Sequence, residues 1–170
     1  QITYAKGQAV LRMFEAHLGD DRFRDGIRVY MKARAYSNAT SADLWHSLSQ
    51  ASGSDVGAIA AAWTEQPGFP LVSVATSCDA QGARTLTLTQ QRFMMRGTDN
   101  AGLRWNVPLQ LRVGHQKDTR SVLLAADGQT VAAGRCDQAL SVNAAAVGYY
   151  RVSYDDATLT MNTQQFESLP

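Results

Sequence analysis

The four residues Pro67-Gly68-Phe69-Pro70 constrain this chain more than any others. Two prolines in four residues cannot continue a helix, and each drives its predecessor toward extended geometry. The spacing of the apolar residues changes across them. Before them apolar side chains recur every three or four positions, as on helices packed by one face. After them apolar and polar residues alternate, as on half-buried strands. A chain divided in this way predicts an α+β fold in two parts, an N-terminal α-helical bundle fragment followed by an antiparallel β-sandwich.

In residues 1–66 the spacing predicts four helices. The first runs from about Lys6 to Leu18 on Val10, Leu11, Phe14 and Leu18, with Gly19 at its stop. Tyr4 then sits on the turn feeding that helix, where a phenol can project into a cleft. Asp20 is expected to cap the second helix, whose stripe is Phe23, Ile27, Tyr30 and Met31. Ser37-Asn38 breaks it. Thr40 caps the third, with Asp43 in its first turn, and Leu44, Trp45, Leu48 and Ala51 lead to a stop at Gly53. The fourth spans about Val56 to Thr64 and buries Ile59, Ala60 and Trp63. Met and aromatic residues at this spacing are core material.

Residues 67–154 carry about seven short strands. Leu71, Val72 and Val74 open the first, and Thr85-Leu86-Thr87-Leu88-Thr89 alternates cleanly. Trp105, Val107, Leu109, Leu111 and Val113 alternate likewise, and Pro108 points to an edge or a bulge. Ser121 to Leu124 is a short apolar strand, and Asp127-Gly128 is a hairpin signal. Leu140 to Val142 and Tyr149 to Tyr154 complete the set, which reads as a sandwich. The tail, 155–170, has weak helical character around Thr158 to Phe166.

Sixteen basic and fifteen acidic residues leave a formal charge of +1, and no basic stripe with interleaved aromatics occurs. Nucleic acid is therefore not an expected partner. No apolar run approaches a membrane span, and the start has no signal peptide. The compartment stays open between cytoplasm and the periplasm or exterior. Cys78 and Cys136 fall near apparent strand ends, where a bridge is conceivable; two separate buried thiols are the expectation.

His17, His46 and His115 are the only histidines, and none has a second four residues away. The helical His-Glu-x-x-His zinc pattern is therefore absent. His17 and His46 read as surface or partly packed helix residues, and no metal ligand is assigned. Neither a nucleophile elbow nor a reactive Cys pair nor a phosphate loop occurs. Lys6 near Tyr4 is assigned no role.

Ile2-Thr3-Tyr4-x-Lys6-Gly7, Val10-Leu11-Arg12-Met13, Gly19-Asp20, Asn38-Ala39-Thr40 and Asp43-Leu44-Trp45 follow one another along the helical part. Trp63-Thr64-x-Gln66-Pro67-Gly68-x-Pro70 and Gly148-Tyr149-Tyr150-Arg151-Val152 continue the series. In this order they resemble the segment downstream of the zinc site in the aminopeptidase N and puromycin-sensitive aminopeptidase family. The resemblance implies that 1–66 are the C-terminal helices of a thermolysin-like catalytic domain. It implies that 67–154 are the β-sandwich behind it, and 155–170 a linker or the start of a truncated helical C-terminal domain. The chain is then expected to be trimmed at both ends, with zinc bound by the parent enzyme through ligands outside this chain.

In that family the residue matching Tyr4 donates a hydrogen bond to the oxyanion formed in peptide hydrolysis, so Tyr4 is the expected catalytic residue. Substrate-binding residues are not identified. The fragment alone is expected to be inert, while the parent removes N-terminal residues from peptides. An uncovered apolar face on its helices is expected to favour self-association. The rival reading is a non-catalytic interaction scaffold with a sandwich module. A carbohydrate-binding sandwich would need an exposed groove built on Trp105, Tyr149 and Tyr150.

Overall fold

A computed structural model of the chain describes residues 2–165. It divides into two compact units that part after Pro67, inside the Pro-Gly-Phe-Pro stretch that sequence alone picks out.

The first unit holds α1 (Ile2–Leu18), α2 (Asp20–Ala33), α3 (Ser41–Ser52) and α4 (Val56–Glu65). Val10, Met13, Phe14 and Leu18 of α1, Leu48 of α3, and Val56, Ile59, Ala60 and Trp63 of α4 are buried. The rings of Phe14 and Trp45 meet with centroids 5.5 Å apart. Thr40 and Asp43 form the expected N-terminal cap of α3. The Asp43 amide donates to Thr40 Oγ1 at 3.4 Å, and the Thr40 amide donates back to Asp43 Oδ2 at 2.8 Å. Gly53 ends that helix as expected.

Three helical expectations are corrected. α1 begins at Ile2 rather than Lys6, so Tyr4 lies on the helix and not on a turn before it; nothing from Ile2 to Lys6 opposes helix formation. Asp20 is the first residue of α2, and the capping position belongs to Gly19, whose φ is 85°. None of Phe23, Ile27, Tyr30 and Met31 is buried, and Met31 is 62% exposed. The buried residue of α2 is Gly26. A Cβ there would lie 2.7 Å from Leu48 Cδ2 and 3.0 Å from Leu48 Cα, so the α2–α3 contact is backbone-close and leaves the large side chains outside.

The second unit holds β1 (Pro70–Cys78), β2 (Ala83–Arg92), β3 (Val107–Val113), β4 (Arg120–Leu124), β5 (Gln129–Arg135), β6 (Leu140–Ser141), β7 (Arg151–Tyr154) and α5 (Asp156–Gln164). The strands form two open sheets, ordered β5-β2-β1-β7 and β4-β3-β6. Val72, Val74, Leu86, Leu88, Val107, Leu109, Leu111, Leu124 and Leu140 supply the core. Trp105 and Tyr150 are buried with them, so the aromatics considered for a carbohydrate groove are largely core.

Here too the structure revises details. The named strands pair antiparallel except β1 with β7, which is parallel; a single bridge from Gln110 of β3 to Asn143 is parallel as well. Pro108 lies in the central strand of its sheet. β6 pairs only with Arg112 and Val113, so no third strand faces the proline. Asp127-Gly128 makes a turn, with the Gly128 amide donating to Ala125 O at 3.1 Å, yet it joins strands of different sheets. A Cβ on Gly128 would sit 2.7 Å from Leu88 O, which is how closely β5 enters beside β2. β5, with its weak alternation, escapes the sequence reading. Cys78 and Cys136 are not separate buried thiols. They are joined in a disulfide with Cα atoms 6.1 Å apart, and neither is buried.

The described part of the expected linker is α5, which is bound into the second unit. Asp155 caps it through the Thr158 amide at 2.8 Å. Asn162 takes the Leu140 amide on Oδ1 and donates to the Leu140 carbonyl, and Gln165 Oε1 accepts from the Ala139 amide. The remainder of that stretch, 166–170, lies outside the described residues.

Candidate functional site

Tyr4 stands in the first turn of α1 and is 86% exposed. Its hydroxyl has no hydrogen-bond partner among the described residues. A long aromatic side chain held out from a helix, rather than folded onto a core, is free to donate its O–H to something outside the unit.

The turn that carries it is anchored. Lys6 Nζ donates to the carbonyl of Gln66, the residue that closes α4, at 3.2 Å. Burial of the ammonium lowers its pKa. The tether fixes the start of α1 to the end of α4 across 60 positions of sequence. Sequence reasoning assigned Lys6 no role because its acceptor is a backbone carbonyl, which no side-chain motif announces.

The helical unit carries two grooves, one of them reaching Lys6. One, about 380 Å³, is apolar and runs along Gly7, Val10, Leu11, Leu44, Trp45 and Trp63. The other, about 420 Å³, is more polar and lies between α3 and α4 beside Ser41, His46, Ser49, Asp55 and Glu65.

The histidines are dispersed. His17 is half-buried on α1 and burial lowers its pKa; His46 is exposed on α3; His115 is exposed in the turn after β3. Among the described residues no group of three or more His, Cys, Asp or Glu side chains is placed to hold a metal ion. The residues present therefore do not fit a zinc centre. A phenol held out in this way can stabilise negative charge that develops on a group outside the unit. No helix among the described residues is long and apolar enough to cross a membrane.

The pattern of the family described as Peptidase family M1 domain matches residues 1–63. The chain is 37% identical over 163 residues to "Probable aminopeptidase 2" of Sulfurisphaera tokodaii, covering 96% of this chain and 20% of that protein. It is 37% identical over 164 residues to "Puromycin-sensitive aminopeptidase" of Caenorhabditis elegans, covering 94% of this chain and 17% of the relative. Against "Leucyl aminopeptidase" of Saccharolobus solfataricus the identity is 36%, over 98% of this chain and 20% of that protein. The chain thus spans about a fifth of the length of these curated relatives.

Proposed function

The chain belongs to the M1 aminopeptidase family, and from that premise we propose that it forms part of a zinc aminopeptidase to which it contributes Tyr4 as an oxyanion donor. The observation that carries this reading is a fully presented phenol, 86% exposed, on a helix turn tethered by Lys6. A peptide carbonyl oxygen gains negative charge only as its carbon is attacked. A donor fixed where that charge appears lowers the barrier without tightening ground-state binding. Lys6 acts on the backbone of the turn, since positions two apart on a helix face different ways.

In this reading the first unit is the C-terminal helical part of a catalytic domain and the second a structural sandwich. The described residues offer no zinc site, so the chain by itself is hydrolytically inert and the metal is held by other sequence of a longer polypeptide. The apolar groove along Val10, Leu11, Leu44 and Trp63 is the surface through which the isolated chain would self-associate, a property that sedimentation at rising concentration reports.

Two assays test the proposal. The purified chain supplied with zinc should show no release of 4-nitroaniline from leucine 4-nitroanilide above the blank. In a polypeptide carrying the complete catalytic centre, Tyr4→Phe should lower kcat by roughly 10²- to 10³-fold with KM nearly unchanged. An unchanged kcat would remove Tyr4 from the reaction and leave the scaffold reading.

A further inference from the structure

The helix α5 is held to the second unit by polar contacts at both ends. At its start Asp155 accepts the amides of Thr76 and Thr158 on its carboxylate and donates its own amide to Val74 O at 3.0 Å, so the helix begins on β1. At its end Asn162 exchanges two hydrogen bonds with the backbone of Leu140. Gln165 bonds the Ala139 amide and the Asp137 carbonyl, so the helix finishes on residues 137–140. Its two buried residues, Thr158 and Asn162, are both polar, and Leu159 is 53% exposed. A helix held by hydrogen bonds, with little apolar burial, lies at the low-stability end of a structure.

The Cys78–Cys136 bridge joins those two seats. Cys78 ends β1 two positions after Thr76, and Cys136 directly precedes Asp137. The bridge also lines a cavity of about 140 Å³ whose other walls include Ala157, Thr158 and Met161 of α5, so the helix does not pack densely over it. Cys78 is exposed and Cys136 half-exposed, which opens the pair to an external thiol. Other bonds hold the start of the 137–140 segment. The Cys136 amide donates to Gly82 O at 3.0 Å, and Arg84 donates to the carbonyls of Arg135 and Gln138. Loss of the bridge therefore leaves the sheets standing and falls on the alignment of the two seats under α5.

We propose that the Cys78–Cys136 bridge is a redox latch on α5: its reduction by a dithiol frees the helix to open while the two sheets stay folded. One thiolate of the dithiol attacks a cysteine Sγ, the Sγ–Sγ bond breaks and the other cysteine leaves as a thiolate. The second thiolate of the dithiol then displaces the first cysteine. The chain gains two electrons and two protons, and the dithiol becomes a disulfide. The inference stands apart from the peptidase reading, because it rests on the second unit alone.

Amide hydrogen exchange of the whole chain, read by mass spectrometry with and without dithiothreitol, tests the latch. Reduction should speed exchange in α5 by about tenfold or more, with little dependence on low urea, because the opening is local. Exchange in β2, which requires the sheet to unfold, should keep a steep dependence on urea. Reoxidation should restore the slow rate in α5, and Cys78→Ser combined with Cys136→Ser should give the fast rate without reductant. An unchanged rate in α5 would overturn the latch. So would an acceleration that shares the urea dependence of β2, or a bridge that dithiothreitol leaves intact in the folded chain. Should the double variant fail to fold, the reduced unmodified chain decides by the same criteria.

Discussion

Tyr150 shows how much one hydroxyl holds in the second unit. The residue is 6% exposed; its O–H donates to Val142 O at 2.8 Å and accepts from the Gln110 amide at 3.4 Å. Burial raises its pKa well above the ordinary phenol value. Tyr150→Phe takes a donor from the buried Val142 carbonyl and an acceptor from the Gln110 amide, so it should destabilise the chain by about 1–3 kcal/mol in chemical denaturation. Asp43 carries the opposite lesson at a partly exposed position. Hydrogen bonds from Thr40, aided by Arg34, hold its carboxyl pKa below the usual value. A group whose pKa is lower folded than unfolded stabilises above its unfolded pKa and loses that contribution as pH falls through the folded one. Thr40→Ala should therefore lower Tm at pH 6, and the gap to the unmodified chain should close as pH falls through the folded pKa of Asp43. The Thr40–Asp43 cap is legible in sequence because its partners are three residues apart. Arg84, Tyr150 and the Lys6 tether are not, because their acceptors are backbone carbonyls 8 to 60 positions away.

Among the elements, α2 is the one whose packing its sequence misrepresents. Its apolar stripe suggests a helix buried on Phe23, Ile27, Tyr30 and Met31, whereas the contact with α3 is made at Gly26. Gly26 and Gly7, both inside helices of this unit, should then respond in opposite ways. Gly26→Ala forces a methyl into Leu48 and should cost about 1–2 kcal/mol net of its better helix propensity. Gly7→Ala meets nothing within 4 Å and should stabilise by up to about 1 kcal/mol. Urea unfolding of both variants gives the comparison directly, and equal effects would refute the close α2–α3 contact. Asp127-Gly128 fails in a different way. The dipeptide correctly marks a turn, but turn chemistry is local and cannot say whether the next strand returns beside the last one or crosses to another sheet. It crosses, because β5 pairs with β2 from Leu88–Gln129 onward.

For the whole molecule, the Cys78–Cys136 bridge closes a loop of 58 positions and links the far end of β1 to the end of β5. Chain-entropy reasoning assigns a loop of that length about 4 kcal/mol, with strain and residual unfolded-state structure reducing it. Replacing both cysteines by serine should lower the stability of the sandwich by about 2–4 kcal/mol, read as a downward shift of its melting transition. A variant with unchanged Tm would show that the strand ladders alone hold this end. Disulfides persist in oxidising surroundings, so the reduced chain is also the form to compare when the compartment is studied.

By itself the sequence determined the division at Pro67–Pro70, the helical and stranded halves, the cap of α3 and the family to which the chain belongs. These rest on signals within a few residues of one another, or on ordered motifs that survive as text. The tertiary structure alone decided the parallel β1–β7 pair, the placement of Pro108 in a central strand, the Cys78–Cys136 bond and the burial of Arg84 beside a cavity. Each depends on which distant segments meet, and periodicity carries a residue's face but not the identity of its partner.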